Sequence, residues 1–148
     1  MHLIATQVDD SLQRMREKLA AERERPRHAM DAYFYRSHLV YERELDHLVF
    51  KSWLYALHSS EVPAKGDYQL VDIGEDSIIV VRGDDGKIRA MHNICRHRGA
   101  QVCEAATGNK RTFVCPYHGW VYNLDGSLKA ARETHVIPDF DADAHGLK

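Results

Sequence analysis

Two short segments carry the residues best suited to chemistry: Cys95-Arg96-His97-Arg98-Gly99 and Cys115-Pro116-Tyr117-His118-Gly119-Trp120. Each supplies one thiol and one imidazole. The whole pattern is C-x-H-x17-C-x2-H. Two thiolates and two imidazoles form the ligand set of a binuclear iron–sulfur centre in which cysteines hold one iron and histidines the other. Charge explains what the histidines achieve. Two ferric ions, two sulfides and two thiolates sum to zero, whereas four thiolates leave the oxidised centre doubly negative. A neutral centre accepts an electron more readily, so histidine-for-cysteine replacement raises the potential. The chemistry is electron relay, with Cys95, His97, Cys115 and His118 as ligands.

A zinc site draws on the same residue types. Structural zinc, however, usually takes C-x2–4-C and H-x3–5-H pairs, and here cysteine and histidine alternate, with a first pair of only C-x-H. Gly99 and Gly119 each follow a ligand histidine closely. Glycine lets a loop adopt positive φ and lets backbone N–H groups approach a sulfide. Arg98, Tyr117 and Trp120 stand beside the ligands, placed to shield the centre, donate hydrogen bonds or meet a carboxylate. Simple core packing suits Trp120 equally well.

These two motifs, CRHRG and CPYHGW, resemble the N-terminal Rieske domain of the α subunit of Rieske non-haem iron oxygenases, the ring-hydroxylating dioxygenase family. The likeness spans about residues 33–148 and includes Glu44, Trp53, His58, Pro63 and Gly66-Asp67-Tyr68. It implies a Rieske [2Fe–2S] cluster on Cys95, His97, Cys115 and His118, with Arg98, Gly99, Tyr117, Gly119 and Trp120 around it. The implied electron donor is a reductase or ferredoxin. The implied acceptor is the mononuclear Fe(II) of a catalytic domain, usually on a neighbouring α subunit of a trimeric ring. That iron sits on two histidines and a carboxylate, with positions left open for oxygen. Its family motif, D-x2-H-x4-H, has no counterpart in these 148 residues. The chain is therefore expected to carry an electron rather than to catalyse, serving ring hydroxylation or demethylation elsewhere. A free-standing Rieske ferredoxin is the alternative, against which the long lead-in counts.

Rieske proteins of respiratory complexes resemble the chain at the ligands but pair two extra cysteines in a disulfide. Here Tyr117 stands in place of one of them, and Cys103 is left without a partner, as a small buried hydrophobe. With 44% apolar residues a core of ordinary size is possible, and a net charge of −2 points to neither nucleic acid nor membrane. The longest apolar stretches, such as Ile78–Val81, are far too short to cross a bilayer. No signal-peptide layout opens the sequence, so a cytoplasmic protein is expected. His92-x4-His97 copies a two-histidine metal motif only by accident. His2, His28, His38, His47, His58, His135 and His145 have no ligand spacing.

The elements that must position the motifs follow from periodicity. Residues 1–52 read as a helical lead-in. One helix is capped by Asp10 or Ser11, carries Leu12, Met15 and Leu19, and ends by Pro26. A second runs from Ser37 towards Phe50, with Tyr41, Leu45, Leu48 and Val49 as its apolar side. Residues 53–148 read as the Rieske domain. Strands are predicted over Trp53–His58, Tyr68–Ile73, Ser77–Arg82, Lys87–Ile94, Arg111–Val114, Val121–Leu124 and Leu128–Ala130, with a hairpin turn at Gly83–Gly86. The fold class is mainly β, antiparallel sheets with a cluster-binding subdomain behind N-terminal helices. Each ligand loop then lies at the end of a strand, where a rigid sheet fixes its position.

Overall fold

Ser11 starts the first helix: its hydroxyl oxygen accepts the Arg14 backbone N–H at 3.1 Å, leaving α1 at Leu12–Arg23. The computed structural model describes residues 9–132, 134–136 and 138–148, His135 through its backbone alone, so the expectation for His2 lies outside the described residues. The chain divides into two units, Met1–Leu54 and Tyr55–Lys148. In the first, Met15 packs on a small core of Tyr33, Phe34 and Val40. Asp10 is not the cap of α1. Its carboxylate accepts from the Tyr33 and Ser37 hydroxyls and, at 2.9 Å, from the Leu39 backbone N–H. It therefore closes the start of the second helix, α2, at His38–His47, which Ser37 also caps through the Val40 N–H. Helix α2 stops short of Phe50, and Val49–Lys51 turns as a separate 3-10 segment. Its buried residue is Val40, the one that meets Tyr33 and Phe34. Tyr41 and Leu48, expected to be buried, are 48% and 59% exposed.

The second unit is built on antiparallel strands. Trp53–His58 is not one of them: it runs as irregular chain, with Trp53 fully exposed and Tyr55 80% exposed. Among the described residues no backbone pairs with it, so β-propensity alone does not make a strand. His58 then caps the 3-10 turn Ser59–Glu61, its own N–H donating to Glu61 Oε1 at 2.7 Å. Strands β1 (Asp67–Ile73), β2 (Asp76–Arg82) and β3 (Ile88–His92) follow the expected hairpins. A strand with no hydrophobic signal, β4 (Thr107–Asn109), adds to the far edge of β1, giving the order β3-β2-β1-β4. The smaller sheet is β5 (Phe113–Val114), β6 (Val121–Tyr122) and β7 (Leu128–Ala130), in sequence order.

The two sheets share one core. Ile79 and Val81 of β2, Met91 of β3, Phe113 of β5 and Tyr122 of β6 bury their side chains in it, together with Cys95, Cys103, Cys115 and Trp120. Cys103 is fully buried and unbridged, as expected, and its burial pushes the thiol pKa up. After β7 the chain forms two 3-10 turns, Thr134–Val136 and Asp143–His145.

Candidate functional site

Both chemistry-bearing loops are closed in the same way. In the first, an isolated antiparallel bridge joins Ile94 to Gln101; in the second, Val114 of β5 pairs with Val121 of β6. Inside these pairs, Cys95 N–H donates to the Ala100 carbonyl at 2.8 Å and Cys115 N–H to the Trp120 carbonyl at 2.8 Å. Gly99 N–H returns to the Cys95 carbonyl at 2.9 Å, and Gly119 N–H to the Cys115 carbonyl at 3.0 Å. The tight return needs a left-handed residue, and Gly99 and Gly119 take φ of 72° and 71°. Two local sequences thus fold into one geometry twice.

The side chains sort by depth. Cys95 and Cys115 are each 2% exposed and lie in the same buried core. Burial raises the Cys115 pKa, while the backbone N–H groups of Tyr117 and His118 aim at its sulfur and favour the thiolate. The imidazoles of His97 and His118 sit at the mouth with ring centroids 4.6 Å apart. Desolvation, then His118 and Arg98, lower the His97 pKa and so favour the neutral ring that a metal needs. Among the described residues, no three His, Cys, Asp or Glu side chains gather as a single ion would require. Two thiols below and two imidazoles above instead suit two metals, each taking one pair, with inorganic ligands completing both.

A family model described as the Rieske [2Fe–2S] domain matches residues 52–141. The chain belongs to that family. It is homologous to oxygenase α subunits. The glycine betaine monooxygenase oxygenase subunit of Chromohalobacter salexigens is 43% identical over all of this chain and 34% of its own length. The biphenyl 2,3-dioxygenase α subunit of Rhodococcus jostii is 41% identical over 67% of this chain and 22% of its own. Among solved structures, naphthalene 1,2-dioxygenase from Rhodococcus sp. superposes with a TM-score of 0.82 at 33% identity, covering 91% of this chain and 32% of that one. The chain therefore spans about a third or less of the length of these relatives.

Around the Rieske loops, each imidazole faces one aromatic ring. Trp120, 5% exposed, stacks on His97 at 4.9 Å with planes 9° apart. It both packs in the core and touches the imidazole, so the two readings of this residue are not alternatives. Tyr117 lies over His118 at 3.8 Å but is itself 60% exposed, which makes it a surface ring rather than a shield. Arg96 and Arg98 are exposed.

Sequence reasoning missed three contributors. The Tyr122 hydroxyl accepts the Arg96 N–H at 3.1 Å and lies 3.2 Å from Cys95 Sγ, so its own proton is free for the sulfur. Burial and then Cys95 raise its pKa and keep that proton in place. The strand alternation that buries Tyr122 was a usable signal. Asn93, 1% exposed, pins the base of the first loop. Its Oδ1 accepts the Val102 and Cys103 N–H groups at 3.1 and 2.7 Å, and its Nδ2 donates to the Cys103 carbonyl at 2.7 Å. Arg132 lies against the second loop, Nε 3.7 Å from where a Cβ on Gly119 would stand. Nothing in the local sequence announces either.

Proposed function

We propose that Cys95 and Cys115 bind one iron and His97 and His118 the other iron of a Rieske [2Fe–2S] cluster, and that the chain relays electrons to an oxygenase. The observation that carries this reading is the pair of matched loops, which sets two buried thiols together and two imidazoles 4.6 Å apart at the mouth. When bound, such a cluster supplies one-electron chemistry. The chain's own residues do the rest. Backbone N–H groups of Tyr117 and His118 stabilise thiolate charge. Tyr122 donates to Cys95, and the sheets keep the loops from moving as charge changes. Cluster assembly needs reduced thiols, which supports a cytoplasmic setting.

The exposed imidazole end is where electrons enter and leave. Arg96, Arg98 and Arg132 are all exposed around it. Such cations suit an acidic donor, a reductase or ferredoxin, whose approach they would steer. The acceptor is the mononuclear iron of an α-subunit catalytic domain, in the same chain or a neighbouring one of a trimer. A quaternary ammonium compound is the substrate class favoured, because the glycine betaine enzyme matches the entire chain. A quaternary ammonium Rieske monooxygenase solved with L-carnitine also aligns, with a TM-score of 0.73 over 78% of this chain and 33% of that one.

Loading the chain anaerobically with iron and sulfide tests the site. Two irons and two acid-labile sulfides per chain, with a red-brown colour, are expected. Zinc bound in preference to iron, or four irons, would reject it. His97→Cys or His118→Cys should lower the potential or abolish loading, since an anionic ligand replaces a neutral one.

A further inference from the structure

The geometry points to Phe140 and His145, on the segment after the last strand, as positioning residues for His97 that act through Trp120. The inference rests on the Rieske reading of the site. The indole of Trp120 lies flat on His97. Phe140 meets the indole edge-to-face at 5.9 Å and 86°, and His145 meets it at 5.7 Å and 69°. Phe140 and His145 in turn stack on each other at 4.7 Å. The three rings form a box, and His97 rests against its open wall.

The box is tied to the framework. His145 Nδ1–H donates to the Asp141 carbonyl at 2.7 Å, which fixes both tautomer and ring direction. Leu147 is buried in the core, and its N–H donates to the Gly126 carbonyl at 2.8 Å. The Lys148 carbonyl accepts the His92 N–H at 2.7 Å, on the strand that leads into the first loop. One short segment thus reaches from the foot of the His97 loop to the ring that covers His97.

The physical need is rotational. The final torsion of an aromatic side chain has a broad minimum, so its neighbours decide the plane of a tryptophan ring. A metal-bound imidazole likewise turns easily about its bond to the metal, and contacts outside the ligand shell set its plane. A wall that fixes Trp120 therefore fixes His97, and with it the electronic coupling between iron and ring. Neither Phe140 nor His145 touches the reacting atoms.

The test uses the chain loaded with iron and sulfide. Phe140→Leu and His145→Leu remove a ring while keeping bulk; His145→Phe keeps a ring and removes the nitrogens. The leucine variants should still bind two irons. They should show shifted or broadened electron paramagnetic resonance lines when reduced. They should also release iron to a chelator roughly two- to tenfold faster, the scale of one lost aromatic pair. His145→Phe, which keeps the ring stack but loses the bond to Asp141, should give lines and release between those of His145→Leu and wild type. A fall in thermal midpoint with unchanged lines and unchanged release would overturn the proposal and leave the pair as packing. Should Phe140→Leu fail to fold, the comparison of His145→Leu with His145→Phe decides: different spectra support the proposal, and identical ones overturn it. A wild-type chain that takes up no two-iron cluster overturns the Rieske reading itself, whereas a normal wild-type cluster with unmoved variants overturns only this step.

Discussion

Tyr122 shows how one hydroxyl serves a charged sulfur. Arg96 N–H occupies its oxygen, so its proton has one natural acceptor, Cys95. Hydrogen bonds to a charged acceptor strengthen as charge grows, so this one favours the reduced state. Tyr122→Phe should keep the cluster and lower its potential by roughly 20–60 mV, one net hydrogen bond expressed as a one-electron shift; voltammetry reads it, and an unmoved potential would rule the donation out. The same tyrosine sets an alkaline limit. Its folded pKa is raised by burial and by Cys95. The stability linked to it is present below the unfolded value of about 10 and is lost as pH rises beyond it. The thermal midpoint of the metal-free chain should therefore fall above that pH, and less steeply in Tyr122→Phe.

Loops and helices hold their shape through single polar residues reaching across sequence. Asn93→Leu leaves the Val102 and Cys103 N–H groups without their side-chain acceptor. It should cost about 2–4 kcal/mol, the scale of such losses, read by chemical denaturation, and should slow cluster loading. Asp10 does the same for α2. Its pKa is lowered by the Ser37 hydroxyl first and the Leu39 N–H next. That stability is present above the unfolded carboxylate value and is lost as pH falls through the folded one. The helical signal of residues 9–54 should fade in acid, and Asp10→Ala should already lack that dependence. These cases mark what was legible. The Cys/His motifs, the hairpin turns and strands β1 to β3 are written in neighbouring residues, so spacing and alternation reveal them. Strand β4, Thr107-Gly108-Asn109, has no apolar pattern and exists because β1 offers it an edge. Asp10 looked like a cap for the helix beside it because its partner lies 29 residues on. Trp53–His58 has strand composition but pairs with no strand among the described residues.

For the molecule as a whole, the matches cover a third or less of each named relative, and the work is expected to divide accordingly. The purified 148-residue chain should be reduced by a suitable reductase. It should form product only when an oxygenase catalytic domain is supplied. Assay of product with and without that domain checks the division, and turnover by the chain alone would contradict it. The chain also carries a built-in optical reporter. Its two tryptophans occupy opposite environments, Trp53 fully in water and Trp120 stacked on an imidazole in the interior. Emission from Trp53 belongs at the red end of the range and that from Trp120 at the blue. A coloured prosthetic group beside Trp120 would drain the blue component by energy transfer, so the strength of the blue emission should report the loaded fraction in a dilute, untagged sample.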